Sequence, residues 1–564
     1  MTSKRILPFV AMLIIINLFL NIRTLNYSFI EDDYLLIANN NRIKNINLLV
    51  RSIKTPFFKA TEHPYLHYWR PAVLFSYYID YKIWGINPRG FHLTNILLHT
   101  INIILFFLLL FFLTGKENFS ILSAIIFSIH PSHVESVSWI SGRTDILATL
   151  FLLLTTLFLY LAIKHKKRGL PLFLFSVLIF PFALLSKEIA VVFPLTIFIF
   201  FTILKKIKKG FLISIPFGLI TLAYIFIHAK FSKAQTLFNH LKISDMNIIL
   251  KTTGIYFKLI FFPFIKAPLY SMKTFDKELI LPFIFFIAFV ILIFLIVKER
   301  DKFKTSFYSI PILFFLIPII NPRIISSYPP IALRFIYLSS FFGAILMAET
   351  IFLLFENKKY RWFIIIFFFL FTGYLYKYFY FQGFYKNGYT RAEKLVKSYS
   401  EEGIYKIQLS MFYAKQKNYE AAINLIEEGI RESKNSKWIN IETKGKIFKA
   451  NLLILTGKSE EAEKILSDLL KSSDQSNTRY YCYLVLSKLY EKKRDYNTAL
   501  SYLIKGEKLF KTADLYFRKS LIYYYLGDYA KALNSLEKAK RINPTIKNYS
   551  PFKKLIKEKL KKVN

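Results

Sequence analysis

Three adjacent carboxylates, Glu31, Asp32 and Asp33, lie a few residues beyond the first apolar run of the chain, residues 6–22. Neighbouring carboxylates repel one another and are unfavourable at a membrane surface unless something uses them. A general base for glycosyl transfer or a metal ligand would use them, and a solvated turn or helix cap is the alternative. Asp32 and Asp33 are therefore the candidates for the catalytic group.

Two imidazoles and a carboxylate come just after a later apolar run, at His130, His133 and Glu135. On a helix, residues three apart share one face, so a divalent metal site is one open alternative. Histidines that only form hydrogen bonds at the membrane interface are the simpler interpretation. Glu135 is better regarded as a second acidic group for contacts with a sugar or an acceptor.

Several further charged residues lie at the ends of apolar runs. Arg334 cannot lose its charge there, and it would be satisfied by bidentate hydrogen bonds to a lipid phosphate. The alternative is an arginine that extends along the interface to reach water. Lys187 with Glu188, and Arg143 with Asp145, could simply form ion pairs with each other. The sequence does not decide whether these four residues contact a substrate.

The elements that must hold these residues are membrane spans. The chain has 564 residues, 54% of them hydrophobic, which is too apolar for an ordinary soluble protein of this length. We predict about eleven spans, the first of them uncleaved. They cover residues 6–22, 91–113, 119–135, 144–163, 170–185, 189–204, 210–228, 279–297, 306–320, 334–355 and 361–381.

The distribution of basic residues predicts the orientation of these spans. Clusters lie at Lys164 to Arg168, Lys205 to Lys209, Lys298 to Lys304 and Lys358 to Arg361. All four fall on the cytoplasmic side only if the ambiguous stretch 247–265 is an amphipathic interfacial helix rather than a span. The loop 24–90, the segments 131–143 and 321–333 and the C-terminal region then share the extracytoplasmic side.

The net charge of +41 does not indicate nucleic-acid binding, because no basic stretch is interleaved with a known reading module. The single cysteine, Cys482, excludes an intramolecular disulfide and a cysteine zinc site. The sequence identifies no cofactor with certainty.

After residue 381 the pattern changes to polar helices with a period near 34. Four turn pairs are each followed three residues later by an alanine, and small residues there let paired helices approach closely. The turns are Asn418-Tyr419, Lys458-Ser459, Asp495-Tyr496 and Asp528-Tyr529, with Ala422, Ala462, Ala499 and Ala532. We predict a membrane domain over 1–381 and about four tetratricopeptide-type repeats over 382–564. The fold class is all-α, a polytopic helix bundle followed by an α-solenoid.

A series of motifs resembles the transmembrane and tetratricopeptide-repeat O-mannosyltransferases and their bacterial relatives, within the GT-C glycosyltransferase class. The motifs follow in order along the chain. They are Tyr68-Trp69-Arg70-Pro71, Trp84-Gly85-Ile86-Asn87-Pro88, Phe91-His92-Leu93-Thr94-Asn95 with His99, His130 to Glu135, Trp139 to Asp145, Ser186-Lys187-Glu188 and Arg334-Phe335-Ile336-Tyr337.

The resemblance implies an inverting transfer of a sugar, mannose by default, from a polyprenyl-phosphate carrier to an extracytoplasmic Ser or Thr hydroxyl of a protein held by the repeats. It implies that Asp32 or Asp33 is the base. Its implied substrate-binding residues are Arg70, His130, His133, Glu135, Arg143, Lys187, Glu188, Arg334 and Tyr337. It also implies an integral protein of a prokaryotic inner membrane, in contact with membrane lipid.

Two other functions stay open at this point. A non-catalytic membrane scaffold could use the repeats to recruit protein partners. A transporter for a lipid-linked sugar should show internal two-fold repetition and broken segments within the bilayer, and we find neither in the sequence.

Overall fold

The computed structural model describes residues 3–54, 57, 68–232, 246–271, 275, 280–319, 331–356, 362–433, 441–542 and 549–563. The basic cluster Lys358 to Arg361 and most of the segment 321–333 lie outside these residues. The chain divides into two compact units, Met1–Arg391 and Ala392–Asn564. Within the described residues the regular structure is helical, and an isolated bridge joins Leu269 to Ala332. The prediction of an all-α protein is confirmed.

The first unit is a bundle of apolar helices. Its α-helices are α1 (Ser3–Asn21), α2 (Ile46–Ser52), α3 (Pro71–Trp84), α4 (Pro88–Thr114), α5 (Glu117–Ser128), α6 (His133–Ser138), α7 (Arg143–Lys164), α8 (Gly169–Leu184), α9 (Phe193–Ile203), α10 (Ile207–Ser232), α11 (Met246–Phe261), α12 (Ile280–Lys298), α13 (Lys304–Ser309), α14 (Ser340–Glu356) and α15 (Ile364–Gln382). The boundary between the two units falls within the next helix, α16 (Gly388–Ser398).

Among the described residues, six helices are long and apolar enough to cross a membrane. They are Ile6–Asn26, Pro88–Thr114, Ile140–Lys164, Ile207–Phe231, Ile280–Lys298 and Ile364–Gln382. Shorter apolar helices lie at Glu117–Ser128, Gly169–Leu184, Glu188–Ile203 and Lys304–Ile319. Each of the ten coincides with a predicted span, and the count of eleven spans remains a prediction.

Prolines explain why some predicted spans are shorter or irregular in the structure. The segment predicted at 119–135 is helical only to Ser128, just before His130-Pro131, because the residue before a proline is disfavoured in the helical conformation. The segment predicted at 306–320 begins as α13 and continues as a 3₁₀ helix over Ile310–Ile319, which contains Pro311 and Pro318. The segment predicted at 334–355 also starts irregularly, with a 3₁₀ turn over Leu333–Ile336 before α14, and that turn contains no proline.

The ambiguous stretch at 247–265 forms α11. Eight of the ten residues from Lys251 to Ile260 are buried, on all sides of the helix, and the helix packs against α12. Lys251 is itself buried, and its Nζ lies 4.4 Å from the centre of the Phe275 ring. The prediction that this stretch is an amphipathic helix in the membrane interface remains a prediction.

The second unit is built from antiparallel helix pairs. The helices are α17 (Gly403–Lys415), α18 (Tyr419–Ser433), α19 (Ile441–Leu455), α20 (Ser459–Ser472), α21 (Ser476–Lys492), α22 (Tyr496–Leu509), α23 (Ala513–Tyr525), α24 (Tyr529–Ile542) and α25 (Tyr549–Val563). The four predicted turns join α17 to α18, α19 to α20, α21 to α22 and α23 to α24.

The four predicted alanines fill the contacts within these pairs. Ala422, Ala462, Ala499 and Ala532 are fully buried in the hydrophobic clusters between the helices. A larger side chain there would push the paired helices apart. The repeat architecture predicted from the spacing of these residues is therefore present, with α25 packed against α24 as the last helix.

Candidate active site

Among the three adjacent carboxylates Glu31, Asp32 and Asp33, Asp33 is the one held by hydrogen bonds inside the protein. Its side chain is fully buried. One carboxylate oxygen accepts hydrogen bonds from the Ser141 backbone N–H at 2.9 Å and from the Ser141 hydroxyl at 2.5 Å, and the other accepts from the Ile30 N–H at 3.0 Å. Burial raises the pKa of Asp33 to about 7, although the hydrogen bonds oppose that shift. Asp33 therefore ties the first loop to the segment that precedes α7.

Asp32 is the aspartate whose carboxylate is free to accept a proton. Its side chain is half-buried, and no side-chain hydrogen bond joins it to another residue within the described part of the chain. Burial and the neighbouring Glu31 raise the pKa of Asp32 to about 6, while the charges of Arg334, Arg70 and Arg391 lower it. A carboxylate with this pKa, without a bonded partner, is suited to accept a proton near neutral pH.

Arg70, at the start of α3, forms an ion pair with Glu188. The Arg70 Nε lies 3.1 Å from Glu188 Oε1, and Nη2 lies 2.7 Å from Oε2, which is the forked geometry that arginine favours. The Arg70 guanidinium also lies over the Tyr68 ring, 4.3 Å from its centre. A pairing of Glu188 with Lys187 is thus wrong, because Glu188 reaches a residue 118 positions earlier in the chain.

Lys187 pairs with Asp145 instead, and both side chains are almost fully buried. The suggested pair between Arg143 and Asp145 is also wrong. Arg143 is fully buried, and its Nη2 lies 2.6 Å from Asp80 while its Nε donates to the Asn95 side chain at 2.7 Å. Arg143 thus joins α7 to α3 and α4 inside the bundle, whereas Lys187 and Asp145 contribute charges that act on Arg70 and Arg334.

Arg334 lies in the 3₁₀ turn before α14 and pairs with Glu135 of α6. Its Nη1 contacts one Glu135 oxygen, and its backbone N–H donates to the other at 3.1 Å. The guanidinium carbon lies 5.1 Å from the centre of the Trp139 ring and 4.7 Å from that of Phe335. The side chain is 16% exposed, so a guanidinium held in this way still reaches solvent.

Arg391 is a site residue that the sequence analysis missed. Its Nε lies 2.8 Å from Glu31 Oε1, and its guanidinium lies over the Tyr385 ring. Glu31 has a left-handed backbone with φ of 42°, which is unfavourable for a residue with a side chain and persists only where neighbours enforce it. Arg391 comes 360 residues after Glu31, so no local pattern signals the contact.

His130, His133 and Tyr337 lie together in the interior of the bundle. The two ring nitrogens of His130 contact the Ser132 hydroxyl at 2.7 Å and the Ile260 carbonyl at 3.0 Å. His133 Nε2 contacts the Ser340 hydroxyl at 3.0 Å, and the Tyr337 hydroxyl contacts His99 Nδ1 at 2.6 Å. These residues join α4, α6 and α14 through hydrogen bonds.

No group of three or more His, Cys, Asp or Glu side chains in the described residues is arranged to hold a metal ion. Both nitrogens of His130 are already in hydrogen bonds. His130 and His133 therefore do not form part of a recognisable metal centre in the parts of the chain that the structure describes.

Two family models match the chain. The model described as dolichyl-phosphate-mannose-protein mannosyltransferase matches residues 62–231, and the model described as tetratricopeptide repeat matches residues 513–546. The first match contains Arg70, Glu135, Asp145 and Glu188. Together with the apolar helices, it identifies the chain as an integral membrane protein.

Several curated proteins are similar to the chain over part of its length. Protein O-mannosyl-transferase Tmtc1 of Drosophila melanogaster is 28% identical over 177 residues, which are 30% of this chain and 20% of that protein. Protein O-mannosyl-transferase F38B6.6 of Caenorhabditis elegans is 27% identical over 195 residues, 32% of this chain and 26% of the relative. Protein O-mannosyl-transferase TMTC4 of Mus musculus is 32% identical over 205 residues, 32% of this chain and 28% of the relative.

The matched region spans 20% to 28% of the length of these relatives. The comparisons confirm the resemblance to the transmembrane and tetratricopeptide-repeat O-mannosyltransferases.

Proposed function

We propose that the chain is a membrane glycosyltransferase that moves a sugar from a polyprenyl-phosphate carrier to a hydroxyl of a protein. Mannose is the default sugar because the relatives are named O-mannosyl-transferases and the matching family model names dolichyl-phosphate-mannose. The observation that carries the proposal is the Asp32 carboxylate, which is half-buried, has a pKa near 6 and lies in the field of three arginines.

In the proposed reaction, the acceptor oxygen attacks C1 of the sugar and the bond between C1 and the phosphate oxygen breaks. The proton of the acceptor hydroxyl moves to Asp32, and the electron pair of the broken bond leaves with the lipid phosphate. Attack from the face opposite the phosphate inverts the configuration at C1. The departing phosphate is already charged, so no protonating acid is required and one base suffices.

The phosphate of the carrier is proposed to bind at Arg334. Its Nη1 is held by Glu135, whereas no hydrogen bond engages Nε or Nη2 within the described residues. Those two groups present the forked donor geometry that phosphate oxygens accept. Arg70 and Lys187 add positive charge nearby, although both are already paired with carboxylates.

The acidic loop and the repeats are proposed to lie outside the cytoplasm of a prokaryotic cell. The support is the positive-inside rule, which places the clusters from Lys164 to Arg168, from Lys205 to Lys209 and from Lys298 to Lys304 inside together. A reporter fused after residue 564 should then behave as exported. Cytoplasmic activity of the fusion would contradict this orientation.

The repeats are proposed to hold the acceptor protein. Stacked helix pairs form surfaces suited to extended peptides, and α18, α19 and α20 line a cavity of about 390 Å³. The lining mixes both signs of charge with apolar groups. It comprises Glu427, Ile430, Arg431, Lys446, Lys449, Ile465, Asp468, Leu469 and Ser472.

Direct assay of the full-length protein tests the proposal. The purified chain, reconstituted in lipid, is incubated with labelled polyprenyl-phosphate mannose and an acceptor protein from the same membrane compartment. We expect labelled protein and free polyprenyl phosphate, and no labelling from a nucleotide-linked sugar. Failure to transfer label from any polyprenyl-phosphate sugar would favour the non-catalytic scaffold.

A further inference from the structure

Four buried hydrogen-bond donors near the Arg334–Glu135 pair have no partner among the described residues. They are Trp139 Nε1, the hydroxyls of Tyr256 and Tyr385, and Arg391 Nη1, which we call the orphan cluster. The four side chains are between 0% and 6% exposed. Buried donors are almost always paired in folded proteins, and an unpaired one is costly. Such a concentration of unpaired donors calls for an explanation.

The members of the orphan cluster converge from separate parts of the first unit. Trp139 packs against the Arg334 guanidinium, and Arg391 lies over the Tyr385 ring with its guanidinium carbon 4.9 Å from the ring centre. Tyr256 lies on α11, which packs against the 3₁₀ turn that carries Arg334. The charges of Arg334 and Glu135 act on both tyrosine hydroxyls. Trp139 therefore contacts this ion pair, Tyr256, Tyr385 and Arg391 lie within reach of its charges, and the ion pair is partly open to solvent.

The charge balance indicates what kind of group is missing. The guanidiniums of Arg334 and Arg391 are each already paired with a carboxylate, Glu135 and Glu31. Three of the four orphan donors are neutral. Uncharged oxygens fit such donors better than a further anion does, and the carboxylates of Glu135 and Asp32 can in turn accept from hydroxyl groups. A ligand that carries several hydroxyl groups can accept hydrogen bonds from the unpaired donors and donate hydrogen bonds to the two carboxylates.

We infer that the orphan cluster binds the hydroxyl groups of the sugar on the carrier, so that Trp139, Tyr256 and Tyr385 recognise the sugar itself rather than its phosphate. This inference rests on the proposed function, because it takes the carrier-linked sugar to be the ligand. Arg334 then contacts both parts of the carrier. Its Nε and Nη2 bind the phosphate, and the sugar lies beside the Nη1 that Glu135 holds.

The inference is tested by binding rather than by transfer. The full-length protein and its Tyr256→Phe and Tyr385→Phe variants are titrated with two probes, a short-chain polyprenyl phosphate and the same lipid carrying mannose. We expect the wild type to prefer the mannosylated lipid. Each variant should lose roughly three- to tenfold in affinity for that lipid, the equivalent of one hydrogen bond, and keep its affinity for the bare phosphate lipid.

Thermal stability without ligand provides an independent readout. Removal of the unpaired Tyr256 hydroxyl breaks no hydrogen bond, so Tyr256→Phe should melt at or above the wild-type temperature. The Tyr385 hydroxyl lies beside Arg391, so Tyr385→Phe also removes that contact and is judged by binding alone. Tyr378→Phe is the matched control, because the Tyr378 hydroxyl donates to Asn21 at 3.0 Å. It should melt at a lower temperature and keep the preference for the mannosylated lipid.

Equal loss of affinity for both lipids in the tyrosine variants, or an unchanged preference, would overturn the inference and leave the proposed function standing. A wild type that binds the two lipids equally would do the same. A wild type that binds neither lipid would instead overturn the proposed carrier, and the inference with it.

Discussion

The Arg334–Glu135 ion pair of the candidate active site differs in kind from the Lys554–Glu558 pair of the repeat unit. In the site, Arg334 and Glu135 are 16% and 1% exposed and stand 199 residues apart in the sequence. On the last helix of the repeats, Lys554 and Glu558 are 82% and 57% exposed and stand one helical turn apart. Exposed pairs contribute little to stability, whereas buried charges are costly and persist only with a partner. The Arg334–Glu135 pair therefore keeps two charges in a place where either one alone would be costly, whereas the Lys554–Glu558 pair is exposed to water.

Removal of one buried partner should produce the largest loss of stability. Glu135→Gln keeps the shape of the side chain but leaves the Arg334 charge without its counterion, which should cost on the order of 3 kcal/mol. Unfolding in mixed micelles measures this cost. Lys554→Gln is the exposed counterpart and should change stability by less than about 0.5 kcal/mol. Similar effects of the two substitutions would abolish the distinction between the two kinds of pair.

The pH dependence of transfer should report the pKa of the Asp32 carboxylate. Burial and Glu31 raise the pKa of Asp32 to about 6, and a base is active only when it is deprotonated. We expect kcat/KM to fall about tenfold for each pH unit below 6. A profile that stays level down to pH 4 would mean that the base has the pKa of an ordinary exposed aspartate.

Arg334→Lys should weaken use of the lipid carrier more than it alters acceptor preference. Lysine keeps the charge but cannot reproduce the proposed forked contact of Nε and Nη2 with the phosphate, so KM for the carrier should rise about tenfold, the equivalent of one charge-assisted hydrogen bond. Saturation curves for carrier and acceptor separate the two effects. An unchanged KM for the carrier would mean that Arg334 does not bind the phosphate and only extends along the interface to water.

A substitution in the repeat cavity should reduce use of the acceptor protein and leave use of the carrier unchanged. We expect this effect to be smaller than that of Arg334→Lys. Ser472→Trp places a large side chain at the cavity between α18, α19 and α20, and we expect transfer to protein to fall several-fold while hydrolysis of the carrier by water is unchanged. Ser467→Trp is the matched control, since Ser467 lies on the same helix and does not line the cavity. If both variants glycosylate protein as well as the wild type, the cavity does not hold the acceptor.

The sequence predicted the repeats well because their signals are local. Ala462 and its turn, three residues before, stand within one helical pair, so spacing alone places them. Most apolar runs were likewise located correctly, and the errors arose at prolines such as Pro131 and Pro311, where a hydrophobic run continues but the helix does not.

The site was only partly predictable because its contacts are long-range. Lys187 and Glu188 are neighbours in sequence, which leaves a pair between them as one alternative, but each pairs with a residue far away in the chain. No sequence pattern points to Arg391, since its partner Glu31 comes 360 residues earlier in the chain. The choice between Asp32 and Asp33 depends on which carboxylate meets Ser141, and adjacent identical residues give no sequence basis for that choice.

Paired substitution of the two aspartates tests the central claim most directly. Single-turnover transfer from labelled polyprenyl-phosphate mannose is compared in Asp32→Asn and Asp33→Asn, with the melting temperature of each. Asp32→Asn should lose on the order of 10²-fold or more in rate and keep its melting temperature. Asp33→Asn turns an amide N–H toward the Ile30 N–H, so it should melt at a lower temperature and retain the faster transfer of the two. Full activity of Asp32→Asn in a folded protein would contradict the assignment of Asp32 as the base.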